Sequence, residues 1–306
     1  MRTMVGLFLY LDKGDLMVNG DNMHIKQPKT YEEQIDLLKK RGLIIEDESY
    51  AIDILSKINY YRFSAYTLTL KSNDIFYEGA SFNHIYKLYE FDRKLRLELL
   101  SLLEKIEVSF RTKISYYLAH KYGSISYLDE SNFKNLDYFN DMRTQINHEV
   151  HRSKELFIIH HKEKYKSIFP IWVVIEVTSF SLLSKIYSNL HDNDQDGIAI
   201  TFNNNRFYIR NWLYALSTLR NICAHFGRLY NRHLPIHFKL SKADRKKIKY
   251  GNTTFAAIYV ICKILNDKVL TKILLTNISE LFNEYEEVNI TQLGFPENWT
   301  NILETI

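Results

Sequence analysis

Between positions 82 and 118 apolar residues recur at helical spacing, through Phe82, Ile85, Leu88, Leu95, Leu99, Leu102, Ile106, Phe110, Ile114 and Leu118, with no glycine or proline among them. Such a period keeps one face apolar for about ten turns of α-helix. The rest of the chain is equally poor in breakers, with 10 glycines and 4 prolines in 306 residues. Turns and bulges of a many-stranded sheet consume both residues, so so few of them exclude that class. The fold class expected is all-α.

Local signals place the remaining helices. Thr30 and Glu33 make a capping box and Gly42 a stop, which predicts a helix over 31–41. Ala51, Ile54, Leu55 and Ile58 share a face of the next, over 47–60, with a turn at Tyr61. A polar loop with Ser72, Asn73, Asp74 and Gly79 leads to the long helix, at about 82–121, ending near Gly123. A polar, histidine-rich helical stretch covers 138–165, and Pro170 opens another that ends before an Asp/Asn/Gly loop at 191–197. The pattern at about 206–230, through Tyr208, Trp212, Leu213, Leu216 and Leu219, runs into a loop held by Pro235. Ser241 caps a short basic helix, and helices over 254–285 precede a tail with Gly294 and Pro296. No repeat or linker appears, so one helical domain is expected over 30–306, behind an N-terminal appendage at 1–29 in which Met17 and Met23 are alternative starts.

Two cysteines, Cys223 and Cys262, lie 39 positions apart and support neither a disulfide framework nor a zinc knuckle. The apolar run at 4–11 is closed by Asp12 and Asp15 with no small-residue cleavage site, and the most apolar stretch, 255–265, contains Lys263. Neither spans a bilayer, which takes about 20 apolar residues, so a cytoplasmic protein without membrane insertion is expected. Net charge is +4, but over 206–249 eleven Lys and Arg face the single acid Asp244, a balance of +10. A field of that sign suits a polyanion.

Within this belt the run LRNICAHFGRLYNR holds Arg220, Asn221 and His225. Asn221 and His225, four apart, share a helix face, and Arg220 reaches round with its long stem. An Arg followed by His at this distance recurs at Arg143, Arg228 and Arg232, but only Arg220 has Asn directly after it. Spacing alone therefore leaves open a polar network that merely satisfies buried groups.

Several further segments accompany the motif in order: RGLIIEDESYAIDILSKINYYRFSAY at 41–66, FDRKLR at 91–96, EKIEVSFR at 104–111 and PIWVVIEVTSFSLLSKIYSNL at 170–190. Together they resemble the Abi family of phage abortive-infection proteins, relatives of AbiD and AbiF, within the HEPN superfamily. The resemblance implies a HEPN-type helical bundle with additional N-terminal and C-terminal helices. It implies an abortive-infection toxin whose RNxxxH motif, at Arg220, Asn221 and His225, is a metal-independent endoribonuclease site. One motif per chain then implies a homodimer. Many relatives carry a second polar residue, often His, after the motif His; Phe226 stands there in this chain, which bears on substrate preference.

The chemistry is coherent. RNA supplies its own nucleophile, the 2′-hydroxyl, so cutting needs a base, an acid and a cation for the phosphorane, and no cofactor. His225 suits base or acid, Arg220 clamps phosphate, and Asn221 either orients His225 or bonds the substrate. Glu107 and Arg111, four apart on the long helix, either support the site or form an ordinary ion pair. Glu176 either reaches the site or anchors a helix. Arg228, Arg232 and the stretch with Arg245, Lys246, Lys247 and Lys249 are candidate RNA contacts, the last four equally readable as a solvated face. Tyr60, Tyr61, Arg62 and Tyr66 suit base stacking less well than a core. His148, His151, His160 and His161 lack the spacing of a metal site. The alternatives are an idle RNA-binding module or a helical interaction protein; the intact motif argues against the first and the basic belt against the second. Restraint by a small non-coding RNA is the first expectation for a partner, a protein antitoxin the second.

Overall fold

Thr30 begins the first helix as its capping box predicts, its hydroxyl accepting from the Glu33 amide at 3.2 Å and its own amide donating to the Glu33 carboxylate at 2.7 Å. In this computed structural model residues 27–306 are described, and the chain is all-α apart from one small hairpin. The order is α1 (Tyr31–Lys40), α2 (Glu48–Lys57), α3 (Tyr60–Ser64), the hairpin of β1 (Lys71–Ser72) and β2 (Ile75–Phe76), and α4 (Phe82–Tyr122). Then follow α5 (Leu136–Arg152), α6 (Leu156–Lys164), α7 (Ile171–Val177), α8 (Phe180–Asn189), α9 (Asp192–Ile200) and α10 (Arg206–Ala224). The chain closes with α11 (Thr254–Leu265), α12 (Lys268–Glu284) and α13 (Trp299–Glu304). The expected alternative starts and most of the appendage lie outside the described residues.

α4 is the axis. Ser81 caps its start, Gly123 at φ 90° ends it, and its 41 residues extend about 60 Å. Its apolar stripe is wholly buried by α7, α8, α9 and α10 on one part of its length and by α11 and α12 on another. α10 lies against both α4 and α8.

Several boundaries differ from the sequence expectation. The turn expected at Tyr61 is the short helix α3. The stretches 138–165 and 170–190 each break once, at Ser153 and at Thr178. The supposed loop at 191–197 is α9. Its Asp192 and Asp194 suit the positive end of a helix, and Asp194 accepts from Lys121 at 2.5 Å and Tyr122 at 3.0 Å across on α4. Gly197 belongs inside α9 because the Tyr117 ring passes 2.4 Å from where a Cβ would stand. The basic helix after Ser241 is a single 3-10 turn, Asp244–Lys246.

Candidate active site

α10 buries Trp212, Leu213, Leu216, Leu219 and Cys223 on its inner face and is capped by Asn205, whose side chain accepts from the Phe207 and Tyr208 amides. It ends at Ala224, six residues short of the expected 230, with His225 as the capping residue. Phe226 then turns left-handed at φ 60°. The Gly227 amide donates to the Ile222 carbonyl at 2.7 Å and the Phe226 amide to that of Cys223 at 3.1 Å. These two bonds make a Schellman cap, whose left-handed position normally takes glycine. Here phenylalanine holds it, and Gly227 is needed one step later because a Cβ there would lie 2.9 Å from the Ile222 methyl.

Arg220 and Asn221 sit on the last turns of α10. The Arg220 Nε lies 3.7 Å from Glu107 Oε2 on α4, and its Nη1 donates to Asn221 Oδ1 at 3.4 Å. Asn221 in turn donates from Nδ2 to Ser181 Oγ on α8 at 3.2 Å. Its side chain is therefore engaged with Arg220 and Ser181, not with His225. The other Glu107 oxygen accepts from Arg111 Nη2 at 2.5 Å. Arg111 also donates to the carbonyls of Thr178, at 2.7 Å, and Ile175. Both carbonyls lie at the end of α7, where Ile175 also accepts from the Thr178 amide and hydroxyl, so Arg111 pins the α7–α8 break onto α4.

The arrangement is a chain of polar contacts from α7 through Arg111, Glu107, Arg220 and Asn221 to α8. Exposure differs along it: the Glu107 side chain is 11% accessible and that of Arg220 42%. The carboxylate is buried and the guanidinium is presented to solvent. His225 stands just beyond, exposed, its ring without a hydrogen bond among the described residues and its amide bound to the Asn221 carbonyl at 3.0 Å. Glu176 is exposed on α7 and makes no hydrogen bond or ion pair with the motif residues.

The basic belt divides. Arg228 donates to the Ala65 carbonyl at 2.8 Å and Arg232 to that of Arg228 at 3.3 Å; both are half-buried, and burial lowers their pKa without removing the charge. The chain then runs back along α10, where the Trp212 indole donates to the Lys239 carbonyl at 2.7 Å. Lys239 thus lies about 20 Å along the helix axis from His225. Nearness in sequence to the motif does not carry the following basic turn to it. That turn is held by buried Asp244, which accepts from Tyr259 at 2.5 Å and Lys263 at 2.9 Å. Burial opposes the Asp244 charge, but these partners hold its carboxyl below the usual range. Arg245, Lys246, Lys247 and Lys249 are exposed, and Lys246 and Lys247 line an open cleft of about 290 Å³ with Asn298, Asn301 and Thr305.

One residue with no role assigned from sequence is Asp92, fully buried in the apolar stripe of α4. It accepts from Tyr66 Oη at 2.7 Å, from the Leu229 and Tyr230 amides at 3.0 and 2.8 Å, and from Arg96. It therefore fastens the loop that leaves the motif. The signal was an acid four residues before an arginine at positions where the period asks for apolar side chains. Burial pushes the Cys223 thiol up to about 12 and that of Cys262 up to about 11, so neither is a nucleophile at neutral pH. Among the described residues no three His, Cys, Asp or Glu side chains come together as a metal site.

The sequence model of the Abi-like protein family matches residues 53–231, which is 179 of 306 positions and runs from α2 to just past the motif. The chain belongs to the Abi-like family. No curated protein and no solved structure matches it. The match contains every link of the polar chain in this Abi-like protein, from Glu107 to His225, as well as Asp92, and excludes the basic turn at 244–246. Among the described residues of the Abi-like chain, no helix is long and apolar enough to cross a membrane.

Proposed function

We propose that this protein is a metal-independent HEPN-type endoribonuclease that acts in the cytoplasm as an abortive-infection toxin. The observation that carries the reading is the exposed His225 at the end of α10, five residues beyond a solvent-facing Arg220 that meets buried Glu107. A guanidinium so held clamps a phosphate of RNA, and an imidazole takes or gives a proton near neutrality. The base removes the proton of the 2′-hydroxyl, its oxygen bonds to phosphorus, the bond from phosphorus to the 5′-oxygen breaks, and an acid protonates that oxygen. The products are a 2′,3′-cyclic phosphate and a 5′-hydroxyl. One imidazole cannot be base and acid in the same step, and each chain holds one motif, which supports a homodimer whose two sites face each other. Membership of the Abi-like family supports the anti-phage role. The deciding experiment incubates the protein with RNA and with DNA in excess EDTA. RNA is expected to be cut to cyclic-phosphate ends and DNA to survive, because DNA lacks the attacking hydroxyl; intact RNA, or 3′-hydroxyl ends, overturns the mechanism.

The Lys246 and Lys247 cleft is the proposed second hold on RNA, whether substrate or a restraining non-coding RNA; a protein antitoxin is the second choice. Its two amides suit phosphate and ribose oxygens, the Thr305 hydroxyl is bonded to Lys247 and the Ile302 carbonyl, and neither lysine forms an ion pair with a carboxylate among the described residues. Lys246→Glu with Lys247→Glu is expected to weaken RNA binding about tenfold or more at low salt, and to flatten the dependence of log affinity on log salt by roughly 0.7 per lost phosphate contact. Fluorescence anisotropy in a cleavage-dead background measures both, and an unchanged slope places the RNA elsewhere.

A further inference from the structure

We propose that Arg62, on α3, is a positioning residue of the site: by clamping the Phe226 carbonyl it holds the left-handed turn that presents His225. The inference rests on the reading of Arg220 and His225 as the cutting pair. Arg62 Nη1 donates to the Phe226 carbonyl at 2.6 Å, across 164 positions of sequence, and its guanidinium carbon lies 5.9 Å from the centroid of the Phe226 ring. Two more ties act on the same segment. Arg228 donates back to Ala65, one residue beyond α3, and Asp92 holds the amides of Leu229 and Tyr230.

A reason for this concentration of ties lies in the backbone. A side chain with a Cβ pays for the left-handed conformation, and such a residue keeps it only where the surroundings leave no alternative. Phe226 at φ 60° is in that position, next to His225. The inner ties, from Asp92, act three and four residues downstream; among the described residues Arg62 supplies the side chain that grips the strained residue itself, beside the helix-cap bond of its amide. Since Phe226 is exposed, packing of its ring in a core does not hold the turn. With the clamp gone, the turn can relax, and the imidazole one residue away moves relative to Arg220, whose own orientation is set independently through Glu107. Misplacement of about 1 Å costs up to about a hundredfold in rate, so the effect belongs in turnover and not in affinity.

The test uses the full-length protein with Arg62→Ala, Arg62→Lys, Phe226→Asn and the double variant Arg62→Ala/Phe226→Asn. Asparagine tolerates the left-handed region with little cost, so it keeps the turn without the clamp. Arg62→Ala is expected to lower kcat in EDTA about tenfold with KM within about twofold, Arg62→Lys to restore part of it, and the loss to shrink in the Phe226→Asn background. A wild-type kcat, a rise in KM alone, or an equal loss in both backgrounds overturns the proposal. Hydrogen exchange at the Gly227 amide is a readout that needs no activity: it is expected to speed up at least about tenfold in Arg62→Ala while amides in the middle of α10 keep their rates. Unchanged exchange overturns the clamp even if RNA is cut. Faster exchange in a protein whose wild type cuts no RNA leaves the clamp standing and rejects the nuclease reading instead.

Discussion

His225→Ala is expected to cut RNA at least about a hundredfold more slowly than the unmodified protein while still binding it. A positioned proton-transfer group is typically worth 10²–10⁴-fold, and among the described residues the His225 ring makes no hydrogen bond whose loss would disturb the fold. Its exposure means that the thermal midpoint should stay close to that of the parent. Single-turnover rates on an RNA oligomer, measured in EDTA beside anisotropy titrations, separate the two quantities. Equal cutting by both proteins assigns the activity to another site or to a contaminant. Loss of binding together with cutting makes the imidazole a substrate contact only. Arg220→Ala is the informative companion, because it removes the phosphate clamp and leaves Glu107 facing Arg111 alone, as α4 already pairs them.

Asp92→Ala should be strongly destabilising. The carboxylate satisfies two loop amides, a tyrosine hydroxyl and the buried Arg96 guanidinium at once. Its removal strands a buried cation, which typically costs about 3–5 kcal/mol, and leaves three further donors without acceptors. For a chain of this size that corresponds to a fall in melting temperature on the order of 10 °C. Replacing both partners, as Asp92→Leu with Arg96→Met, should recover much of the loss, because the uncompensated charge goes with them. A single variant that melts with the parent would show that the loop after the motif is held by other contacts. Recovery in the double variant without recovery of RNA cutting would locate the value of the network in the placement of 229 and 230, not in stability.

How much of this was legible beforehand depends on the range of the interaction. The long helix was, because its period is written in residues three and four apart, each of which meets the same buried environment. The capping box at Thr30 was legible for the same reason, since both partners lie within four positions. α9 was not: its aspartates and Gly197 read locally as a loop, and they are helical because Lys121, Tyr122 and the Tyr117 ring on α4 accommodate them. The end of α10 is not legible locally because the residue that breaks it is Phe226, which carries no local stop signal, and contacts from α3 and α4 act on the turn.

The candidate site divides along the same line. Arg220, Asn221 and His225 are recognisable as a set because their spacing is local, and Glu107 with Arg111 for the same reason. Their connection, Glu107 to Arg220 and Asn221 to Ser181, joins helices far apart in the chain and exists only once α4, α8 and α10 pack. Separation of the basic turn from the motif is likewise a product of the return path along α10, since charge counts carry sign but no direction. Residue identity and short spacing thus settled which groups are present and which helices carry them. Packing settled which of those groups meet, because a hydrogen bond or an ion pair depends on distances of a few ångströms that no count of intervening residues contains.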